Sequence, residues 1–300
     1  MSNEMKFGTN CLMMTLQVIS ATLNMFILSL FCRYMNLRNN KHLRLILFLT
    51  ISDFLFALCE LPFSIYMTVN WNWNVLNFDP HFMLIASIPL PLQLKISAIL
   101  IISIALNRNI ALIYPGIYLR LNQVNYANAT MVISIFFAVI DVFFYFIISD
   151  FEPKPGCASS GCFVGDKFRY YWGISNMVLG CVILLLSTII FFKINQQKNQ
   201  MLRKSSNEAK FRQANRTSLG ILGSSLAFLT IPSVFVGIFE MCGISLFRRV
   251  GPFYVASLLS SGISNAIIFI INNKDVRQVM STKSVTSSAA NNNNNVTFLS

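Results

Sequence analysis

The run from Ile102 to Arg120 reads Ile-Ser-Ile-Ala-Leu-Asn-Arg-Asn-Ile-Ala-Leu-Ile-Tyr-Pro-Gly-Ile-Tyr-Leu-Arg. A long apolar segment runs into Arg108, a short apolar turn follows, and Pro115, Tyr118 and Arg120 close the stretch. An arginine at the point where an apolar helix meets water often serves only as an anchor, its charge reaching for the headgroups. That accounts for Arg108 alone. It does not account for Arg108, Ala111, Pro115 and Tyr118 together, so the chain on either side has to decide.

Composition decides the class. The 300 residues are 55% apolar and only 11% charged, with 27 phenylalanines. A soluble domain wets its surface with about 25% charged residues, so this chain is a polytopic membrane protein in contact with a lipid bilayer. Residues Met1 to Asn10 are polar, and the apolar run after them exceeds the roughly 7–15 residues of a signal-peptide core. That run reads as the first span. The net charge of +12 invites a nucleic-acid partner, but the basic residues gather in alternate loops, which is a topology signal, and no nucleic acid is expected. Of the seven cysteines, Cys11, Cys32, Cys59, Cys181 and Cys242 lie in or beside apolar runs and behave as small hydrophobes. Cys157 and Cys162 share one loop, Cys-Ala-Ser-Ser-Gly-Cys, where a local disulfide can form on an oxidising side.

Seven apolar runs are long enough to cross about 30 Å of hydrocarbon: 11–33, 43–69, 82–107, 126–148, 170–192, 217–239 and 251–271. The expected fold is an all-α, seven-transmembrane helix bundle over residues 1–280, with a disordered Ser/Thr/Asn-rich cytoplasmic tail over 281–300. Pro62, Pro89, Pro91 and Pro232 fall inside spans, where kinks rather than breaks are expected. The loops after spans one, three and five, with the C-terminal tail, hold sixteen of the 23 basic residues, against six on the opposite side. The positive-inside bias therefore puts the N-terminus outside and the C-terminus in the cytoplasm. Asn272 to Met280 is a candidate short amphipathic helix along the inner surface.

In this context the opening stretch is the inner end of the third of seven spans. Rhodopsin-like receptors carry Asp/Glu-Arg-Tyr there, then Ala, Pro and Tyr at the spacings of Ala111, Pro115 and Tyr118. Span one holds Asn24, span two Leu-Thr-Ile-Ser-Asp ending at Asp53, and span seven Asn265-Ala-Ile-Ile-Phe269 against the family's Asn-Pro-x-x-Tyr. The chain resembles the nematode serpentine chemoreceptors, and its Asn107–Tyr118 run is most similar to serpentine receptor class bc. Asn107 stands where the family has an acid and Asn109 where it has tyrosine; no cysteine lies near the start of span three for the family's usual bridge.

The resemblance implies a G-protein-coupled chemosensory receptor, multi-pass in the plasma membrane of chemosensory neurons. Its partners would be a small-molecule ligand and a heterotrimeric G protein, the latter met by Arg108, Ala111, Pro115 and Tyr118. It further implies an activation network of Asn24, Asp53, Asn265 and Pro232, with a sodium site near Asp53. By helix rise Asn24 and Asp53 lie about 14 Å from the inner side and Asn265 about 11 Å. Mutual hydrogen bonding at that depth serves helix association equally well. Lys95, Glu60 and Asp141 lie about 20–24 Å from the inner side. With Gln93 they are candidates for a ligand pocket; a structural ion pair satisfies the same energetic demand. A transporter or channel using Lys95, Glu60 and Asp141 as a polar path is the alternative, and an assembly or trafficking role is a third. The chain has no phosphate-cradling Gly-rich loop, no His-Glu-x-x-His and no catalytic constellation, so neither an enzyme nor a resident cofactor or metal is expected.

The topology is checked by glycosylation. The sequons at Asn128, Asn215 and Asn295 fall on or near the predicted inner side. Deglycosylating the protein made in eukaryotic cells should leave its gel mobility unchanged. A shift removed by Asn215→Gln or Asn295→Gln would invert the assignment.

Overall fold

Among the described residues, seven helical segments are long and apolar enough to cross a membrane: Glu4–Arg33, Lys41–Val69, Pro80–Ile113, Gln123–Ile148, Asp166–Gln196, Arg216–Met241 and Phe253–Asn272. They are called spans one to seven below. The computed structural model describes residues 3–73, 76–149, 151–153, 155–157, 159–198, 206–243, 253–273 and 276–277, and among these there is no strand. The tail 281–300 lies outside the described residues, as do Arg203, Lys204 and most of the helix expected after span seven; Val276 and Arg277 are helical.

Span four shows what organises the bundle. Val132, Phe136, Val139, Phe143 and Ile147 recur at helical spacing and are all exposed. Ala127, Thr130, Ser134, Ala138, Asp141 and Tyr145 occupy the opposite face and are all buried. In lipid the usual amphipathic logic is reversed: large apolar side chains face hydrocarbon, whereas small and polar ones face other helices. The same holds for span one, where Asn10, Gln17, Ser20 and Asn24 form one buried polar seam. There Asn10 Nδ2 donates to Thr68 Oγ1 at 2.7 Å and Gln17 Nε2 to Ser64 Oγ at 2.8 Å, tying span one to span two.

Helix boundaries follow local chemistry. The Asp79 side chain accepts from His81 N to start span three, and Asn122 accepts from Val124 N and Asn125 N to start span four. Gly243, at φ 73°, ends span six in the left-handed conformation that glycine tolerates. Pro62, Pro89 and Pro91 were expected to kink continuous helices. Instead the helix is interrupted at Glu60 and at Ser87–Ile88, and each proline stands in the first turn of the segment that resumes. A missing N–H costs nothing in a first turn, so an interruption there relieves the clash that a proline makes deeper in a helix. Span three also runs on past Asn107 to Ile113, so that Arg108 lies within its last two turns rather than in a loop.

Pro232 sets up a different solution. It follows a π-helical turn, Leu226–Thr230, and cannot donate to the carbonyl of Phe228 four residues back. That carbonyl accepts instead from Ser257 Oγ of span seven at 2.6 Å. One turn further, Ser233 Oγ and Tyr254 Oη are 2.6 Å apart. The irregularity in span six is thereby stitched to span seven at two adjacent levels.

Spans five and six approach closely because glycines line the contact. A Cβ at Gly237 would lie 2.7 Å from Met177 Cβ and 3.0 Å from the Gly173 carbonyl oxygen, leaving no room for even a methyl group. Gly237→Ala should therefore destabilise the protein by about 1–3 kcal/mol. Gly223, with nothing within 4 Å of its virtual Cβ, should gain up to about 1 kcal/mol on replacement by alanine. Thermal unfolding of the two variants in detergent, shifting in opposite directions, is the expected result.

Candidate functional site

Polar side chains collect at four depths. We call the end of the bundle bearing the start of span one the N-face and the opposite end the C-face.

Nearest the N-face, the second loop on that side is closed by a disulfide between Cys157 and Cys162. It folds over the ends of spans three, four and five, and beneath it lies a cavity of about 30 Å³. Ser87, Tyr145, Val164, Phe168, Arg169 and Trp172 contribute to its wall. The aromatic rings are in mutual contact, Tyr145 edge-on to Phe168 at 5.2 Å and Phe168 stacked on Trp172 at 6.3 Å between centroids. Ser87 Oγ and Tyr145 Oη, 2.9 Å apart, are hydrogen-bonded. Arg169 is almost wholly buried; its Nη1 donates to the carbonyls of Gly161 and Val164 at 3.0 and 2.6 Å, holding the loop down. Its guanidinium also pairs with Asp166, and its Nε lies 3.8 Å from Glu240 Oε1 of span six.

One helical turn deeper, Lys95 Nζ meets Asp141 Oδ2 at 3.1 Å and donates to Ser175 Oγ at 2.7 Å. Tyr171 Oη donates to Asp141 Oδ1 at 2.9 Å. Spans three, four and five thus share one buried ion pair with two hydroxyl partners. Burying the two charges costs several kcal/mol each, and the close contact with its added hydrogen bonds offsets that cost.

Glu60 and Gln93, grouped with Lys95 from their depth, go elsewhere. Glu60 is fully buried, and neither of its carboxyl oxygens has a hydrogen-bond partner among the described residues. Gln93 Nε2 donates to Asp53 Oδ1 at 2.8 Å and to Ser97 Oγ at 2.9 Å, and its Oε1 accepts from Ser52. The reason is angular: two residues advance a helix by about 200°, so positions 93 and 95 point to nearly opposite sides of span three. None of the four residues is part of the cavity wall.

At mid-depth Asp53 is buried between three spans. Besides Gln93 it accepts from Asn265 Nδ2 of span seven at 3.5 Å, and Asn265 Oδ1 accepts from Ser224 Oγ of span six at 3.2 Å. Asn24 stands apart from this network; its Nδ2 donates to the Ser20 carbonyl one turn back, at 2.9 Å. Gly262 of span seven explains the gap. A Cβ there would lie 3.2 Å from Asp53 Cβ and 3.3 Å from Ser20 Oγ, so span seven presses its backbone between them. Pro232 is joined to this network by no described contact; its neighbours Phe228 and Ser233 meet Ser257 and Tyr254 of span seven instead.

At the C-face Arg108 is buried, and its Nε donates to Ser218 Oγ of span six at 2.8 Å. No carboxylate lies within ion-pair distance of it among the described residues. Asn109 Nδ2 donates to the Leu186 carbonyl of span five at 3.2 Å. Ala111 is buried, and Pro115 opens a short helix, Pro115–Arg120, on which Tyr118 is placed to stack on His42. Tyr118 Oη and His42 Nδ1 are 3.0 Å apart, joining the segment after span three to the start of span two.

Arg169, Ser218, Ser175, Ser224 and Ser257 carry much of this geometry and were not singled out from sequence. Arg169 had a signal: a basic residue on the sparsely basic side, within the apolar start of a span. The serines had none, since one serine in a helix resembles any other until its neighbour is known.

A family model described as serpentine type 7TM GPCR chemoreceptor Srbc matches residues 3–275. No curated protein matches the chain.

The ion pair gives a stability prediction. Asp141→Asn leaves Lys95 buried without its counter-charge and should cost about 3–5 kcal/mol. The double variant Lys95→Met/Asp141→Leu should recover most of that loss, as read from the unfolding midpoint in detergent and from surface expression.

Proposed function

This chain belongs to the serpentine type 7TM GPCR chemoreceptor Srbc family, and from that premise we propose how it receives and transmits a signal. The family is one of multi-pass membrane receptors, not enzymes. In our reading residues 1–280 form the receptor domain, the N-face is extracellular and the C-face cytoplasmic. A small molecule binds in the N-face half, and a heterotrimeric G protein docks on the C-face, in the plasma membrane of chemosensory neurons.

The observation that carries this reading is the hydrogen bond from Arg108 to Ser218. It spans the C-face ends of spans three and six, a position from which separation of the two helices would open a cleft to the cytoplasm. Asn107 cannot supply the acid that would otherwise hold this arginine, so Ser218 acts as the resting lock. A hydrogen bond to a charged group contributes about 1.5–3 kcal/mol. A ligand that prefers the open bundle by that much shifts the population by an order of magnitude or more. Asp53, Gln93, Asn265 and Ser224 supply a path for the change, because they join spans two, three, six and seven at mid-depth. Their polar partners are exchangeable, and a sodium ion could take a place beside Asp53.

Two experiments test the proposal. Ligands screened against the full-length receptor with a calcium reporter should give ligand-dependent G-protein signals without substrate flux; flux without coupling would indicate a transporter. Ser218→Ala should raise basal signalling by about tenfold for about 1.4 kcal/mol lost, and Asn107→Asp should lower it by restoring an acid beside Arg108. Equal basal signalling in both variants and the wild type would sink the lock.

A further inference from the structure

The second loop on the N-face has no covalent tie to the rest of the bundle. Cys157 and Cys162 bond each other, and the other five cysteines are free. The loop is held non-covalently, in two parts. Its tip, residues 159–164, is buried, and Arg169 grips the Gly161 and Val164 carbonyls from beneath. Its outer arm, where Pro155 and Gly156 are exposed, is fastened through the backbone of Gly156. The Gly156 N–H donates to the Leu76 carbonyl at 2.8 Å, and the Gly156 carbonyl accepts from Lys6 Nζ at 2.9 Å. Leu76 belongs to the first N-face loop, between spans two and three, and is buried there. Three segments far apart in sequence therefore meet at one glycine. Its φ of 79° is a conformation that glycine tolerates and other residues rarely adopt.

Span one is long enough to reach this point. Its 30 residues run about 45 Å at about 1.5 Å per residue, against about 30 Å of hydrocarbon. Its first turns consequently project from the N-face. There Lys6 takes the second loop, while its neighbour Phe7 packs on the first, its ring centroid 5.3 Å from those of both Trp71 and Trp73. The projecting turns are a post on which both outer loops close.

We propose that Gly156 is a releasable clasp, by which Lys6 and Leu76 hold the second loop shut as a lid over the cavity beneath it. A disulfide to another span would fix the loop permanently. Two hydrogen bonds, one of them at an exposed lysine, break and re-form without any chemistry, so the arm lifts at far smaller cost than the bundle unfolds. With the clasp open, Arg169 alone holds the loop, at its buried edge. Entry to the cavity is thereby governed by span one, which contributes no residue to the cavity wall. The clasp stands on the outer-loop contacts and not on the receptor reading, so a chain that never coupled to a G protein would leave it intact.

The test is a distance measurement between two nitroxides on the full chain in lipid nanodiscs. They are carried on an unnatural amino acid at the positions of Pro153 in the arm and Val69 at the end of span two, both exposed, so that every cysteine stays native. Lys6→Met should raise the ratio of lifted to seated arms about tenfold, and Lys6→Arg, which keeps a cationic donor, should stay near wild type. Gly156→Ala should lift the arm too. A methyl group there meets nothing within 4 Å, so the effect would come from backbone conformation alone. Gly156→Asn should fall between, because asparagine enters the left-handed region more readily than alanine. Reducing the Cys157–Cys162 bond should leave the seated fraction unchanged. Distances indifferent to both Lys6→Met and Gly156→Ala overturn the clasp, and lifting on reduction gives its role to the disulfide. A Lys6→Met variant whose unfolding midpoint falls as far as that of Gly237→Ala also overturns it, since the contact would then hold the fold and not a lid.

Discussion

Hydrocarbon offers neither hydrogen-bond donors nor acceptors, so polar side chains buried in this bundle depend on another helix or on their own for partners, and Glu60 is an exception among the described residues. An unsatisfied group there costs several kcal/mol, far more than the roughly 0.6 kcal/mol that an average interhelical hydrogen bond contributes. The asymmetry fixes helix rotation more firmly than apolar packing can, because a large apolar side chain is as well served by lipid as by protein. Span four illustrates it, with Phe136 and Phe143 exposed while Thr130, Ser134 and Asp141 are buried. The backbone obeys the same rule where proline removes a donor. Ser257 completes the Phe228 carbonyl that Pro232 leaves open, and span seven is held against the bend in span six as a result.

Span three sits at the centre of these constraints and divides them by angle. Gln93 and Arg108 lie on related positions of one side and reach spans two and six. Lys95 and Asn109 are fourteen residues apart, close to four turns, and both reach span five. One side of the helix therefore carries the mid-depth network and the Arg108–Ser218 contact, and the other carries the anchors to span five. A small rotation or slide of span six changes the first set while the second keeps span three in place, which is what a switch with one fixed and one moving partner requires.

Much of this was legible in the sequence. The seven spans follow from apolar length, and the interhelical hydrogen bonding of Arg108, Asp53 and Asn265 follows from the cost of placing such residues where hydrocarbon should be. Depth along a helix is readable from residue counting, which brought Lys95 level with Asp141. Rotation is not readable that way when every face is apolar, and Gln93 and Lys95, two residues apart at similar depth, were grouped although they point to different neighbours. The seam of span one was also hidden. Asn24 shares a level with Asp53, yet the backbone of span seven at Gly262 packs against Asp53 and Ser20, and Asn24 bonds its own helix. The polar partners hardest to foresee were serines, because a serine satisfies itself on the preceding turn unless a neighbour happens to be in reach.

The identity of the partner of Arg108 bears on how the bundle responds. A carboxylate would cancel the charge of the guanidinium; the Ser218 hydroxyl accepts a hydrogen bond but leaves the charge whole. A buried arginine with only a neutral partner retains part of its desolvation cost, so the closed state stands higher in energy than one sealed by an ion pair. The open state we propose, which would return the guanidinium toward water and headgroups, would be correspondingly nearer. Less differential affinity is then required of a ligand to shift the balance.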